Sequence, residues 1–169
     1  RRQVIMGRGW DDPGAGFALL LDETGALALR VGEDQGRQLM LSTNVPLRRG
    51  QWAFVAASYD SASGQARLVQ RPLATGPGDQ VISDPVERSE TLVSGLGLGA
   101  AAAPFQFAAG GGERATAHFN GKIDRPRLAN RALTDAEMAA ASGPGIAETL
   151  TNDILGCWDF AADISTDRI

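Results

Sequence analysis

Apolar and polar residues alternate with a period of two along much of the chain, and turn-forming clusters separate these runs. The clearest case is GFALLLDETGALALRVG (residues 16–32), in which Leu27, Leu29 and Val31 alternate with small or polar residues. This alternation is typical of a half-buried β-strand. The intervening DETG sequence supplies a turn in which Gly25 can take a positive φ. We therefore predict a β-hairpin over residues 16–32.

A second hairpin is predicted over QWAFVAASYDSASGQARLVQRP (residues 51–72). Trp52 and Phe54 fall on one face of its first strand, and Val55 and Tyr59 fall on the other. Apolar residues on both faces indicate a central strand that is buried on both sides. We accordingly expect Trp52 to belong to the core.

Weaker signals place the remaining elements. Further strands are expected in QVIMGRG, as an edge or pairing strand, and in QLMLS, FQFAA, ATAHFNGKIDRPRLA and ILGCWDFA. The cluster NVPLRRG predicts a break and a turn. Between Leu73 and Val93 the pattern dissolves into Pro, Gly, Ser and Asp, which predicts a long surface excursion.

One short helix is predicted near residues 134–142. Thr134 is a good N-cap and Glu137, three residues later, completes a capping box, while the GPG sequence at residues 143–145 ends the helix. Roughly a dozen short strands with one helix predict an all-β fold, a two-sheet antiparallel jelly-roll sandwich. Because the chain has 169 residues, which is the usual size of one domain, we predict a single domain over residues 1–169.

Composition and charge narrow the range of partners. A net charge of −4 with dispersed arginines gives no footprint for nucleic acid, and no apolar stretch in the sequence is long enough for a membrane span. Cys157 is the only cysteine, so no disulfide can form within the chain, which favours a cytoplasmic location. Because the chain starts at Arg1 without a methionine or a leader sequence, we expect it to be a piece of a longer polypeptide.

Catalytic patterns are poorly matched. A Ser-His-Asp arrangement needs a base, and His118 is the only histidine, so we interpret it as a surface or structural residue. Cys157, in an apolar strand, is expected to be a small buried hydrophobic residue. The paired acids Asp11–Asp12, Asp22–Glu23 and Glu33–Asp34 adjoin turn residues, which disfavours the alternating carboxylates of a jelly-roll glycosidase.

Binding sites remain as alternatives. Asp11, Asp12 and Asp60 are calcium candidates because they lie near expected loop ends, but they lack EF-hand spacing, so we predict no metal or other cofactor in this domain. Trp10, beside the acids, is the candidate for stacking on a sugar ring. The GLGAAA sequence at residues 97–102 fits a loose dinucleotide pattern, yet it lacks the required strand and helix and is better explained as a crowded loop or strand.

A fold signature lies in FNGKIDRPRLANRAL (residues 119–133). With the QWAFVAASYDSASGQARLV and GCWDFA sequences, it resembles the closing part of laminin-G-like and pentraxin-like domains, which are concanavalin A-like lectin/glucanase jelly rolls. The residues that carry the resemblance are Phe119, Gly121, Ile123, Asp124, Arg127 and Leu133. Phe119 and Ile123 are expected to point into the core, and Leu133 to fasten the helix to the sandwich.

Two residues within the signature carry further expectations. Proline cannot donate to a β-ladder, so the strand around Pro126 should lie at an edge or a bulge. Asp124 is expected to cap a turn or to pair with Arg127 or Arg131 rather than to hold a metal.

A narrower resemblance bears on function. GKIDRPRL together with WDFAADISTDRI is similar to the domain embedded in bacterial N,N-dimethylformamidase-type large subunits, which implies a parent amide hydrolase with an iron site elsewhere in the polypeptide. We predict a non-catalytic module that packs against other domains or subunits of such a parent. The alternatives are a carbohydrate-binding, lectin-like module, with or without calcium, and a fragment that is itself a hydrolase.

Overall fold

The computed structural model describes residues 1–9, 16–32, 38–74, 83–96, 98, 104–111, 114–142 and 150–160. Within these ranges the chain forms ten strands and one short helix. The chain divides into two compact units, Arg1–Asn120 and Gly121–Ile169. The predicted all-β class with antiparallel sheets and one short helix is confirmed; the single domain and the jelly-roll topology stay predictions.

The first unit contains two antiparallel sheets. Its strands are β1 (Gln3–Arg8), β2 (Gly16–Leu21), β3 (Ala26–Gly32), β4 (Gln38–Pro46), β5 (Ala53–Asp60), β6 (Gln65–Pro72), β7 (Val86–Thr91) and β8 (Phe105–Phe107). One sheet has the order β4-β3-β2-β1-β8 and the other has the order β5-β6-β7. β6 approaches β3 and β4, so the two sheets face each other.

A small polar tie joins the two sheets inside the first unit. The Thr43 hydroxyl on β4 donates to the Gln70 side-chain oxygen on β6 at 3.1 Å, and the Gln70 amide donates to the Val45 carbonyl at 3.2 Å. Thr43 and Gln70 are both buried. Their polar groups are therefore satisfied by each other and by the main chain, as burial requires.

The hairpin of β2 and β3 is confirmed, but its second strand is not half-buried as predicted. Every residue of β3 is buried, Arg30 included. Arg30 can lie inside because its Nη2 donates to the Gly9 carbonyl at 2.7 Å, which offsets part of the cost of removing the guanidinium from water. The alternation in the sequence thus marked the two faces of a strand that is covered on both.

The prediction that β5 is a central strand buried on both sides is wrong for the described part of the chain. β5 lies at one end of the order β5-β6-β7, and all eight of its residues are half-exposed. Trp52, expected in the core, is 39% exposed. Side-chain periodicity fixes which residues share a face, but it carries no information on strand order.

Two stretches that were predicted to lack strands, the surface excursion and the break at residues 44–50, contain strand residues. β7 lies within the Leu73–Val93 stretch, and five of its six residues are exposed. Such a strand gives no apolar signal because its main-chain ladder with β6 and polar side-chain contacts to β6, such as Gln65 with Ser89 and Arg71 with Glu87, connect the two strands. β4 likewise continues to Pro46 through the predicted break, with Asn44 at a φ of 57°, a conformation that asparagine tolerates.

The second unit contains β9 (Arg127–Ala129), helix α1 (Asp135–Ala140) and β10 (Ile154–Cys157). β9 and β10 form a two-stranded antiparallel ladder with a register shift between Ile154 and Gly156. Pro126 directly precedes β9, and its carbonyl accepts the Trp158 N–H at 3.1 Å. This position agrees with the edge expected for the proline. The capping box of Thr134 and Glu137 is confirmed, and the predicted stop at residues 143–145 lies outside the described residues.

The long strand predicted over ATAHFNGKIDRPRLA is wrong. Only Arg127–Ala129 forms a strand, and Thr116 and His118 make isolated bridges. Ala117 and Arg125 take φ values of 46° and 45°, which interrupt an extended chain. Of the signature residues, Phe119, Ile123, Arg127 and Leu133 are half-buried, and Gly121 and Asp124 are exposed.

Candidate functional site

Several of the predicted site residues lie outside the described residues. These are the ligand candidate Trp10, the calcium candidates Asp11 and Asp12, and most of the GLGAAA sequence. Their roles therefore stay predictions. The remaining candidates lie within the described residues.

Asp60, the third calcium candidate, stabilises the turn between β5 and β6. Its carboxylate accepts hydrogen bonds from the Ala62 N–H at 3.0 Å and from the Ser63 hydroxyl at 2.7 Å. The bond from Ser63 and then that from Ala62 hold the pKa of Asp60 below its ordinary value. In the described parts of the chain, no three or more His, Cys, Asp or Glu side chains are grouped so that they could hold a metal ion.

Asp22 has the same kind of role in the first hairpin. One carboxylate oxygen accepts from the Thr24 N–H and hydroxyl at 2.9 and 2.6 Å, and the other accepts from the Ser42 hydroxyl at 2.8 Å. Burial raises the pKa of Asp22, but these hydrogen bonds together outweigh burial and lower it. The carboxylate thereby links the β2–β3 turn to β4.

Among the described residues, a cluster of one arginine and two acids lies in the second unit, and the sequence predicted only part of it. Arg131 donates to the Glu137 carboxylate at 2.6 and 2.9 Å and to the Asp153 carboxylate at 2.8 Å. Among the described contacts, Arg131 therefore pairs with these two acids rather than with Asp124, one of the alternatives expected for that aspartate. Arg127, the other predicted partner, donates instead to the carbonyl of Ala141 at the end of α1.

Glu137 holds this cluster and the helix cap together. It accepts hydrogen bonds from Arg131, from the Thr134 N–H and from the Thr134 hydroxyl. The bond from Arg131 and then those from Thr134 lower the pKa of Glu137 to about 2. The cluster therefore caps the start of α1 and connects α1 to Asp153, which directly precedes β10.

Glu137 gives a prediction on pH. Its folded pKa lies below its ordinary value of 4.5, so its stabilising contribution is fully present above pH 4.5 and is lost as the pH falls toward about 2. We expect the side-chain carboxyl carbon of Glu137 to titrate near pH 2 by NMR, and Glu137→Gln to remove that part of the acid-side loss of stability. Titration close to 4.5 in the folded chain would contradict the ion pairs described above.

The two candidate nucleophile or base residues, His118 and Cys157, both lie at the surface. His118 is exposed, in agreement with the surface reading, and its main chain bridges Val4 in a parallel arrangement. Cys157, expected to be buried, is exposed. The reason is that β10 alternates half-buried and exposed residues, which places Cys157 on the exposed side with Leu155.

Sequence reasoning did not locate the exposed apolar surface. Besides Trp52 and the half-exposed β5, a shallow groove lies between the end of β4 and the start of β5. Its lining residues are Val45, Pro46, Leu47, Arg48, Gln51, Ala53, Gln70, Pro72, Ser83 and Asp84. The residues that line the groove come from four separate stretches of the chain, so no local sequence pattern predicts it.

Comparisons with known proteins point to one kind of relative. No protein-family model matches the chain. The chain is 28% identical over 99% of its length to the N,N-dimethylformamidase beta subunit of Paracoccus aminophilus, and 27% identical over 99% of its length to the N,N-dimethylformamidase beta subunit of an Alcaligenes species. The chain spans only 23% of the length of each of these relatives. The relatives are called beta subunits, whereas the sequence resemblance pointed to a large subunit.

The structure also bears on the membrane prediction. Across the described residues, no helix has the length and apolar character needed to cross a membrane.

Proposed function

We propose that this chain is a module of a larger dimethylformamidase-type amidohydrolase, in which it packs against other parts of the protein and supplies no catalytic group. The observation that carries this proposal is the match itself. Almost the whole chain aligns with each relative, yet it accounts for only 23% of the relative's length. The proposal assigns hydrolysis of the amide to the remaining length of such a parent.

Three of the described carboxylates support a structural role. Asp22, Asp60 and Glu137 all have lowered pKa values because they accept hydrogen bonds from turns and caps. A general acid or base needs the opposite shift, toward the working pH. These groups stabilise turns and a helix end by accepting hydrogen bonds from within the fold.

Exposed apolar residues support the packing role. Trp52 is 39% exposed and Val45 is 44% exposed, and β5 presents apolar side chains that are only half covered. Apolar side chains exposed in this way are available for packing against other protein. Tryptophan is also enriched among the residues that contribute most to protein interfaces.

Deleting residues 1–169 from the full-length parent tests the proposal. We expect the deleted protein to lose its native assembly, as measured by light scattering coupled to size exclusion, and to lose hydrolysis of N,N-dimethylformamide as a consequence. The isolated chain should fold but should not hydrolyse the amide. A parent that assembles and works normally without these residues would contradict the packing role.

Two further outcomes would contradict the proposal in different ways. Hydrolysis of N,N-dimethylformamide by the isolated chain would make it the catalytic part. Saturable, calcium-dependent binding on a glycan array would instead favour the lectin-like alternative. Thermal unfolding of the isolated chain should be recorded in parallel, so that an inactive chain is known to be a folded one.

A further inference from the structure

The outer edge of β5 has main-chain groups that point away from its sheet. In an antiparallel pair, directly opposed residues alternate between hydrogen-bonded and non-bonded pairs. The Leu73 N–H donates to the Trp52 carbonyl at 2.8 Å, and Ala53 opposes Pro72 in the register. The bonded pairs therefore fall at every second residue from Trp52, and the N–H and C=O groups of Ala53, Val55 and Ala57 face away from β6.

The side chains of this strand are those of a buried strand. Phe54 and Ala56 lie on one face and Val55 and Ala57 lie on the other, and all four are half-exposed. No charged residue, and no proline, occurs from Ala53 to Tyr59. A sheet edge of this composition is open to pairing with a further strand.

The opposite edge of the same sheet is protected. The Leu92 N–H donates to the Gly64 carbonyl at 2.8 Å, which by the same alternation places the main-chain groups of Glu87, Ser89 and Thr91 on the outside of β7. β7 is exposed and carries charges at three of its six positions, a common protection against strand addition. One edge of the sheet is therefore protected from pairing, and no described strand pairs with the other.

We infer that the β5 edge is a docking site for an extended segment of the parent polypeptide, which adds a fourth strand beside β5. The inference rests on the proposed function. Most of each relative's length lies outside the matched region, and in the proposed function this chain packs against the corresponding part of its parent. Main-chain hydrogen bonds to Ala53, Val55 and Ala57 provide the affinity. Side chains of the added strand cover Phe54 and Val55, so an uncharged segment with apolar alternate residues is selected.

Hydrogen exchange in the full-length parent and in the isolated chain tests the inference. We expect the Val55 and Ala57 amides to exchange at least about tenfold more slowly in the parent. Ala57→Pro removes an outward N–H without removing a bond to β6, and it should abolish the extra protection of Val55. Ser89→Pro, the matched change on the outside of β7, should leave that protection intact.

A check on folding keeps the test decisive. The Val69 amide lies in the β5–β6 ladder and should stay protected in the isolated Ala57→Pro chain. If it does not, Ala56→Lys replaces this variant, because it adds a charge to the edge without removing any donor, and it should abolish the extra Val55 protection in the same way.

Each remaining outcome is decisive against the docking edge. Equal exchange of Val55 in the parent and the isolated chain, in a parent whose assembly still requires residues 1–169, would overturn the docking edge while the proposed function stands. Protection already present in the isolated chain would show that the chain closes this edge itself, and protection that grows with chain concentration would show pairing with a second copy. Loss of protection in Ser89→Pro as well would show that the effect is not specific to β5.

Discussion

Replacing Gly16 by alanine is expected to lower the free energy of unfolding by about 4 kcal/mol or more, because two independent penalties combine at this position. Gly16 opens β2 with a φ of +106°, which L side chains rarely adopt, and an added Cβ would lie 2.1 Å from the Arg8 carbonyl oxygen. That oxygen belongs to the main chain of the neighbouring strand β1, so it cannot move without breaking the pairing of β1 with β2. Urea unfolding of the purified variant measures the loss.

Two other glycines separate the two penalties. Gly50 has a φ of +74° with nothing within 4 Å of the added Cβ, so Gly50→Ala should cost only about 1 kcal/mol. At Gly7 the Cβ would lie 2.5 Å from the Phe17 carbonyl oxygen, with no positive φ, and the overpacking alone should cost about 1–3 kcal/mol. A Gly16→Ala loss no larger than that of Gly50→Ala would show that β1 yields easily and that the close approach is not a constraint.

Local signals were enough to predict the turns and the helix start. Asp22 and Gly25 form the first hairpin turn, with the Gly25 N–H donating to the Asp22 carbonyl at 3.1 Å, and Thr134 and Glu137 form the capping box. In each case the interacting groups lie within four residues of one another. Their spacing in the sequence therefore already contains the geometry, which is why these predictions were confirmed.

Strand order and strand limits could not be predicted in this way. β5 has the composition of a central strand but lies at one end of its sheet among the described strands, and β7 has no apolar pattern because its contacts with β6 are main-chain and polar ones. Ala117 and Arg125 interrupt the predicted long strand with positive φ values, although neither residue type announces such a conformation. These outcomes depend on which partners a strand finds, and periodicity describes only its faces.

The candidate sites follow the same division. Asp60 was singled out as a loop-end acid, and the structure places it in a turn where it accepts two local hydrogen bonds. The cluster of Arg131 with Asp153 joins residues that are 22 positions apart, and the β5 edge is defined by an absent neighbour among the described strands. Both features arise from tertiary arrangement, so the sequence could supply the residue types but not their meeting.

Replacing Leu20 by alanine is expected to lower the free energy of unfolding by about 3–4 kcal/mol. Leu20 is fully buried, and it packs in a cluster with Val4, Ala18 and Ala28. Val4 and Ala28 are its direct partners on the two neighbouring strands, so their positions are fixed by the main-chain pairing of the sheet. Alanine and valine side chains are too short to fill the space that the leucine leaves, and the cavity should stay open.

A matched change at a surface leucine identifies the cause of this loss. Leu73 is 39% exposed, and Leu73→Ala should cost about 1 kcal/mol or less, since much of its side chain already contacts water. Urea unfolding of both variants should give an unchanged dependence on urea concentration, with the midpoint shifted far more for Leu20→Ala. Equal shifts for the two leucines would mean that the sheet rearranges to close the cavity, and the rigid packing of Val4 and Ala28 against Leu20 would then be disproved.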